Sequence, residues 1–362
     1  MKQFLFKKRE NRPSFLDSVA NTCLAIAMAI IVSIIFILSL GENPISVFEF
    51  IIRGAFRNTS SVLEILAKST PIIIIGLGVS IAAATGMTNL GGDGQFYMGA
   101  ISAAIIGIYL EAPVWIVWIA AICVSILAGG IWGGFAGFLR ATIDTSEVII
   151  AIMMNYIALF LIGFLVSNPL QAPGGIPQTR AIPQIVQLPK LIAGSRAHWG
   201  IVFVALLALF VWFVMNRTVF GFQLLTIGKS AKAAQYGGIA VKKLSVTSMF
   251  IAGGFAGFAG MIEVFGTYYR VLEGISSSFG FTAVMIAILA RYRPLGIIVG
   301  SLLISTLTVG VNSMQIAVNV PTSIVTVIQS VVVFSILVMP KIRANFQHAQ
   351  RKRLPPDERE ES

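Results

Sequence analysis

The sequence predicts an all-α, polytopic membrane helix bundle of about ten transmembrane helices. Hydrophobic residues make up 56% of the chain and charged residues only 11%, whereas soluble domains carry about 25% charged residues. Apolar runs of about 20 residues, the length that crosses a bilayer, recur along the chain. A soluble core of this size would leave much of this apolar surface exposed to water.

The apolar runs define the predicted spans in order. They cover residues 20–40, 64–85, 92–111, 113–139, 147–167, 199–216, 244–267, 278–292, 295–317 and 322–340. Gly or Pro interrupts the third, eighth and ninth runs or crowds their ends. The first run is longer than the apolar core of a signal peptide, which has about 7–15 residues. We therefore predict an uncleaved first helix.

The placement of Lys and Arg predicts the orientation of these spans. With ten crossings and both termini cytoplasmic, 19 of the 26 basic residues lie on the cytoplasmic side, as the positive-inside bias requires. Residues 1–19 are then a basic cytoplasmic tail, residues 20–340 the transmembrane domain, and residues 341–362 a charged cytoplasmic tail. The net charge of +11 is explained by this topology, and we predict no nucleic-acid partner.

A polar stretch, NLGGDGQ, separates the second and third spans. It contains Asn89, Asp93 and Gln95, and the flexible backbone of Gly91, Gly92 and Gly94 predicts a helix break there. Irregular backbone at membrane depth is tolerated where it lines a cavity or is buried in protein. We predict that the three polar residues line or gate a solute pathway; a plain turn with the carboxylate in water is the alternative.

Further polar residues lie inside predicted spans. Asn155 falls within the fifth span and Glu263 deep in the seventh. Charged groups in lipid cost a few kcal/mol, so they face the bundle interior or a partner. Both residues are candidates for the pathway, with a hydrogen bond between helices as the alternative. Pro71 in the second span also predicts that this helix is breakable.

No pattern in the sequence indicates catalysis or metal binding. The two histidines are far apart in sequence, the two cysteines lie in apolar runs, and no GxxxxGK[ST] phosphate loop occurs. We therefore predict no catalytic residue, no metal site and no enzyme. Glycines spaced four apart, such as Gly129, Gly133 and Gly137 or Gly253 and Gly257, are typical of closely packed membrane helices.

Two connections carry patterns of their own. Residues 168–198 contain five prolines and are predicted to form a folded cap or a docking surface outside the cell. Residues 226–243, TIGKSAKAAQYGGIAVKK, predict a short cytoplasmic helix with Ser230 as its N-cap and Gly237-Gly238 as its end. This loop is either an ordinary basic loop or the docking helix for a cytosolic partner.

Several of these segments, taken together, resemble a known family. They are GLGVSIAAATGMTNLGGDGQFYMGA, IAIMMNYIA, TIGKSAKAAQYGGIAVKK, AGGFAGFAGMIEVFG and FGFTAVMIAILARYRPLG. Over about residues 60–310 the chain is similar to permease subunits of bacterial ABC importers for branched-chain amino acids, ribose and nucleosides. It most resembles the simple-sugar and nucleoside subgroup, whose binding proteins are lipoproteins of the basic membrane protein type.

The resemblance implies partners that the sequence does not contain. Such permeases pair with a second homologous permease subunit, identical or different, and with a cytosolic ABC ATPase that binds ATP. An extracytoplasmic solute-binding lipoprotein delivers the solute, and the permease itself holds no cofactor. Residues 228–238 correspond to the family's coupling helix, which implies an ATPase-coupling role for Gly228, Ser230, Ala233, Ala234, Tyr236 and Gly237. The subgroup usually has Glu at the position of Asp93.

These observations together predict the function. We expect the permease subunit of an ATP-driven importer in a bacterial cell membrane, which moves nucleosides or a related small polar solute by alternating access. Spans 2–5 and 7–10 would then be two inverted repeats. A ribose or simple-sugar permease, a branched-chain amino acid permease and an ion-coupled secondary transporter are the alternatives.

Overall fold

The computed structural model describes residues 31–32, 34–35, 38, 43–143 and 145–318. The chain forms two compact units, and all of the packing described below lies within the larger one, Arg53–Gly310. The predicted first and last spans and both predicted tails lie outside the described residues or outside this unit.

Within the described ranges the chain forms eleven α-helices and two short helical turns. The helices are α1 (Pro44–Ala55), α2 (Thr59–Ala83), α3 (Gly92–Tyr109), α4 (Val114–Ile143), α5 (Glu147–Ser167), α6 (Gly200–Arg217), α7 (Val219–Lys229), α8 (Ala231–Tyr236), α9 (Val241–Glu263), α10 (Phe279–Leu289) and α11 (Pro294–Val318). A 3₁₀ turn lies at Gln184–Val186, and α9 continues as a π-helical turn, Val264–Tyr268.

Six described helices are long and apolar enough to cross a membrane. They are α2, α4, α5, α6, α9 with its π-helical turn, and α11 over Pro294–Ser313. The predicted all-helical, polytopic membrane bundle is therefore confirmed. Helix α10 has 11 residues and extends about 16 Å, roughly half of a hydrocarbon core.

Helix α2 is continuous through Pro71, so the prediction that this helix breaks within itself is wrong. Pro71 cannot donate to the carbonyl oxygen of Ala67, and the hydroxyls of Ser69 and Thr70 both donate to the neighbouring carbonyl oxygen of Leu66, each at 2.9 Å. The helix is also buried over most of its length, and packing then outweighs a single lost N–H. The break comes after Ala83 instead.

The predicted glycine stripes bring α4 and α9 into backbone contact. A Cβ atom added at Gly253 would lie 2.3 Å from the carbonyl oxygen of Gly129, and one at Gly257 would lie 2.2 Å from that of Ser125. Helix α9 runs antiparallel to α4 and parallel to α3, where Gly99 meets Gly257. The prediction of close packing is confirmed, and α9 is the central helix of this unit.

Residues 168–199, named here the cap segment, fold onto the connection between α9 and α10. The amide of Ile182 donates to the carbonyl oxygen of Tyr269 at 2.8 Å, and the amide of Leu188 donates to that of Phe265 at 2.9 Å. The indole of Trp118 donates to the carbonyl oxygen of Val186 at 2.7 Å. The cap segment is thus hydrogen-bonded to the bundle, as the folded-cap alternative predicts.

Candidate functional site

The connection between α2 and α3, residues 84–91, turns back into the bundle. Gly86 makes the turn with a φ of +82°, a conformation that costs glycine little. Helix α3 then begins at Gly92, beside Ile75 in the middle of α2: a Cβ atom added at Gly92 would lie 3.2 Å from the Cγ2 atom of Ile75. The N-terminus of α3 therefore lies inside the bundle.

A second connection, residues 269–278, brings the N-terminus of α10 to the same place. Three of its non-glycine residues, Tyr269, Ser277 and Ser278, have positive φ angles, as does Gly274. A Cβ atom added at Gly280 would lie 2.3 Å from the amide nitrogen of Asp93. The side chain of Ser278, the residue before α10, makes no capping hydrogen bond, so α10 needs an acceptor from elsewhere.

Asp93 of α3 supplies that acceptor. Its carboxylate receives hydrogen bonds from the amides of Gly280 at 2.8 Å and Phe281 at 3.3 Å, and from the hydroxyl of Ser276. The side chain is 7% exposed. Each helix N-terminus carries about half a positive charge. One buried carboxylate therefore faces two partial positive charges whose sum matches its own charge.

Asn89 and Gln95 close the turn that precedes this contact. Their side-chain amides form a reciprocal pair, with Asn89 Nδ2 to Gln95 Oε1 and Gln95 Nε2 to Asn89 Oδ1 both at 2.9 Å. The Oδ1 atom of Asn89 also accepts from the amide of Gly91 at 3.1 Å. Both residues are buried, and they satisfy each other where water does not reach.

Asn155 of α5 holds the start of α3 from the opposite side. Its Oδ1 atom accepts from the amide of Gly94 at 2.8 Å, and its Nδ2 atom donates to the carbonyl oxygen of Leu90 at 2.8 Å. The amide of Gly94 is one that a helix start leaves without a helical partner, and the carbonyl of Leu90 lies in the connection before α3. Asn155 gives both groups a hydrogen-bond partner from another helix.

The three predicted glycines lie at the beginning of α3. Gly91 is the last residue of the connection, and Gly92 and Gly94 belong to the first turn of the helix. A Cβ atom added at Gly94 would lie 2.9 Å from Asn155 Oδ1, and one at Gly92 would lie 3.0 Å from the Cα atom of Gly280. Their small size permits the close approach of α5 and α10.

Four of the five predicted polar residues thus come together, and Glu263 does not. Glu263 ends α9, next to the π-helical turn, and is 3% exposed. Lys68 and Arg196 lie close enough to act on its charge. The site therefore has two separate parts. The Asp93 junction consists of Asn89, Asp93, Gln95 and Asn155 with their partners. The Glu263 cluster consists of Glu263 with Thr267, Lys68 and Arg196.

Sequence reasoning missed two parts of the Asp93 junction. Ser276 lies just before the eighth predicted span and Gly280 within it, and nothing local marks them as donors to Asp93. The ion pair between Arg140 and Glu147, at 3.1 Å, was also missed. Glu147 accepts a long hydrogen bond, 3.4 Å, from the amide of Thr88. Opposite charges on either side of the short α4–α5 connection were the available signal.

The predicted short helix in residues 226–243, named here the coupling segment, forms as α8. The hydroxyl of Ser230 accepts from the amide of Ala233 at 3.2 Å, and Gly238 follows with a φ of +78°. Ala234 is buried, whereas Tyr236 is 93% exposed. The segment thus presents an aromatic side chain to its surroundings.

The coupling segment touches the connection that leads to the Asp93 junction. A Cβ atom added at Gly228 would lie 2.3 Å from the carbonyl oxygen of Ala84, and one at Gly86 would lie 3.8 Å from the Cα atom of Gly228. The neighbouring hydroxyls of Thr85 and Ser248 are 3.2 Å apart. Movement of the coupling segment would therefore press directly on residues 84–86.

Comparison with known proteins finds relatives that are named as permeases. Residues 61–339 match the family described as branched-chain amino acid transport system / permease component. The guanosine ABC transporter permease protein NupP of Bacillus subtilis is 32% identical, over 86% of this chain and 90% of its own length. The nucleoside ABC transporter permease protein NupB of Lactococcus lactis is 28% identical, over 89% and 93%.

A glucose ABC transporter permease of Haloferax volcanii is 24% identical over 91% of this chain and 89% of its own length. No solved structure matches the chain. Permease components of this kind are transport subunits that act with an ATPase and a binding protein. The chain belongs to the permease-component family of the branched-chain amino acid transport system, and it is a multi-pass protein of the plasma membrane that transports and is not an enzyme.

Proposed function

We propose that the chain is the permease subunit of an ATP-driven importer of nucleosides and moves its solute by alternating access. Two relatives that match nearly the whole chain are named for guanosine and for nucleosides. The Asp93 junction gives a physical reason for an uncharged solute, and it is the observation that carries the proposal.

The reasoning starts from the two helix N-termini in the bundle interior. Transporters with broken helices commonly point such N-termini at anionic groups of the solute. Here Asp93 already accepts from the amides of Gly280 and Phe281. The chain's own carboxylate thus fills the position that the carboxylate of an amino acid would need. The arrangement favours a neutral solute that hydrogen-bonds, which fits a nucleoside better than a branched-chain amino acid.

The proposed topology has ten spans in two inverted repeats with both termini in the cytoplasm. In support, α2 and α9 run antiparallel, since Gly78 packs on Ala252 and Thr85 on Ser248. Each of these helices is followed by a connection and a helix, α3 or α10, that starts in the bundle interior. The asparagine and aspartate of the α3 start then form a gate between the two repeats.

The end of the bundle that holds the coupling segment is proposed to be cytoplasmic. Its described basic residues far outnumber its acidic ones, as the positive-inside bias requires. They are Arg140, Arg217, Lys229, Lys232, Lys242, Lys243, Arg291 and Arg293, with Glu147 as the acidic residue.

The proposed partners follow from this orientation. A cytosolic ABC ATPase, which binds the ATP, docks on the coupling segment around Tyr236. Its conformational change moves the coupling segment, and the contact at Gly228 transmits this movement to residues 84–86. A solute-binding lipoprotein docks on the cap segment, and a second homologous permease completes the complex. This chain binds no cofactor itself.

A panel of labelled solutes in a strain that lacks this chain tests the proposal. Complementation should restore uptake of guanosine, adenosine or uridine and leave leucine uptake unchanged. A simple sugar is the second candidate, supported by the glucose permease relative, so ribose and glucose belong in the panel. Uptake of leucine without any nucleoside would refute the argument from Asp93. Nucleoside uptake that collapses with an uncoupler at normal ATP levels would favour a secondary transporter.

A further inference from the structure

Glu263 occupies an unusual position in the helix that organises the bundle. Helix α9 ends at this residue and continues as the π-helical turn Val264–Tyr268, and π-helical turns occur frequently at functional sites. The neighbouring Gly260 packs on the backbone of Phe96 and Ala100 in α3. Glu263 therefore lies further along α3 than Asp93, towards the end of the bundle that holds the cap segment.

Charged residues lead from the surface to this carboxyl group. Arg196 of the cap segment pairs with Glu64 at 3.4 Å, and both side chains are partly exposed. Lys68 follows Glu64 by one turn of α2 and acts on the charge of Glu263. Lys68 precedes Ile75, which packs on Gly92, by two turns or about 10 Å. The cluster thus lies between the cap-segment end and the Asp93 junction.

The carboxyl group of Glu263 has unused hydrogen-bonding capacity. Its Oε2 atom is buried and has no hydrogen-bond partner among the residues that the structure describes. The hydroxyl of Thr267 interacts with the carboxyl group and lies 3.4 Å from the Nε2 atom of His198. Burying a polar atom without a partner is costly, so a donor on a passing solute would gain the bond that the protein leaves open.

We propose that Glu263 is a solute-binding residue that selects solutes with two adjacent hydrogen-bond donors. A carboxylate accepts such a pair side by side. Nucleosides offer it at two places: the N1–H and 2-amino group of a guanine base, and the 2′- and 3′-hydroxyls of the ribose. This inference rests on the proposed nucleoside transport. It adds the residue that recognises the solute by hydrogen bonding.

The assignment predicts selectivity that depends on donors. A site that hydrogen-bonds a substrate group rejects the analogue that lacks it, because the site's own polar atom is then left unpaired. A single bond to a charged group corresponds to about a tenfold to hundredfold difference in affinity. Guanosine should therefore outcompete an analogue that lacks one donor of the pair that Glu263 binds.

The test compares apparent affinities for uptake in cells that carry wild type, Glu263→Gln, or the control Glu111→Gln, which changes an exposed carboxylate in the α3–α4 connection, with membrane levels normalised. Inosine lacks the 2-amino group, and 2′-deoxyguanosine lacks the 2′-hydroxyl. In wild type, guanosine should outcompete one of them at least tenfold. Glu263→Gln should weaken guanosine binding about tenfold and abolish that preference, whereas Glu111→Gln should leave both unchanged. A preference over inosine indicates that Glu263 binds the base, and a preference over 2′-deoxyguanosine indicates that it binds the ribose.

Three results would overturn the assignment. One is a wild type with no preference between guanosine and either analogue. Another is a Glu263→Gln variant whose preferences and affinities match those of wild type. If that variant fails to reach the membrane, Glu263→Asp serves instead, and unchanged affinity with the shorter side chain refutes direct contact. A wild type that takes up no nucleoside would refute the proposed function as well, which separates the two failures.

Discussion

Asp93 and Glu263 are both carboxylates buried in the bundle, yet their surroundings differ in kind. Asp93 accepts from two backbone amides and one hydroxyl. Glu263 keeps one oxygen without a hydrogen-bond partner among the described residues. Burial therefore does not decide the role of a charged residue in a membrane. The hydrogen bonds of Asp93 join α3 to α10, whereas the open hydrogen-bonding capacity of Glu263 is what we propose that the solute uses.

The two carboxylates also differ in what can move them. The connection beside Asp93 is touched by the coupling segment through Gly228 and Ala84. Glu263 is instead adjacent to the cap segment, through Thr267 and His198. In the orientation that we propose, the Asp93 junction faces the ATPase side through the coupling segment, and the Glu263 cluster faces the side on which the solute arrives.

The largest effect is expected from Asp93→Ala. The substitution leaves the amides of Gly280 and Phe281 and the hydroxyl of Ser276 without their acceptor in a dry interior. At about 1–3 kcal/mol for each of the three buried unsatisfied groups, the loss is on the order of 3–9 kcal/mol. We expect a large fall in the melting temperature of the detergent-purified protein and loss of uptake. Wild-type stability and uptake in this variant would contradict the role of Asp93 as a cap for α10.

The next largest effect is expected in the coupling segment. Variants there distinguish binding of the ATPase from transmission of its movement to residues 84–86. Gly228→Ala would place a Cβ atom 2.3 Å from the carbonyl oxygen of Ala84, whereas in Gly237→Ala the nearest atom would be 3.4 Å away. We expect Gly228→Ala to lower uptake at least tenfold while the ATPase still copurifies, and Gly237→Ala to be nearly silent. Tyr236→Ala should weaken copurification instead. Equal uptake in the two glycine variants would contradict transmission through residues 84–86.

Two milder variants, Asp93→Asn and Glu263→Gln, compare directly how much each carboxyl group contributes to stability. Asp93→Asn replaces one acceptor oxygen with a donor that faces other donors, so we expect a lower melting temperature. Glu263→Gln replaces a buried carboxyl group whose hydrogen bonds are incomplete with an amide of the same shape, so we expect an unchanged or higher melting temperature. Thermal unfolding of both variants in one detergent measures the difference. The reverse order of stabilities would show that the two carboxylates have been assigned the wrong way round.

The smallest effect concerns pH and the cap segment. His198 is fully buried and accepts from the amide of Gly200 at its Nδ1 atom, and burial lowers its pKa from 6.5 to about 4. The unfolded state therefore binds more protons between these values, and stability falls as the pH drops from about 6.5 towards 4. The loss is about 3 kcal/mol at most. A His198→Gln variant should lack this part of the pH dependence of the melting temperature, and an unchanged dependence would contradict it.

The sequence was sufficient to predict much of this architecture. Residues 147–167 were predicted as a span and form α5 with the same bounds, because a long apolar run is a local property. Ser230 was predicted as an N-cap and is one. Asn89, Asp93, Gln95 and Asn155 were selected because polar groups in apolar spans need partners, and the structure brings them together.

The partners themselves could not be predicted from the sequence. Ser276 and Gly280 lie 183 and 187 residues from Asp93, and no local pattern indicates which carboxylate caps a distant helix. The continuity of α2 at Pro71 was missed for a similar reason. Propensity predicts a break there, but burial over most of the length of the helix stabilises it intact.

The central claim is that ATP hydrolysed by a partner drives a nucleoside through this chain. Reconstituted vesicles that contain the complete complex, with the binding protein outside and ATP inside, test it most directly. We predict accumulation of labelled guanosine that requires enclosed ATP and persists when an uncoupler dissipates ion gradients. Accumulation without ATP that an imposed proton or sodium gradient drives would contradict the account.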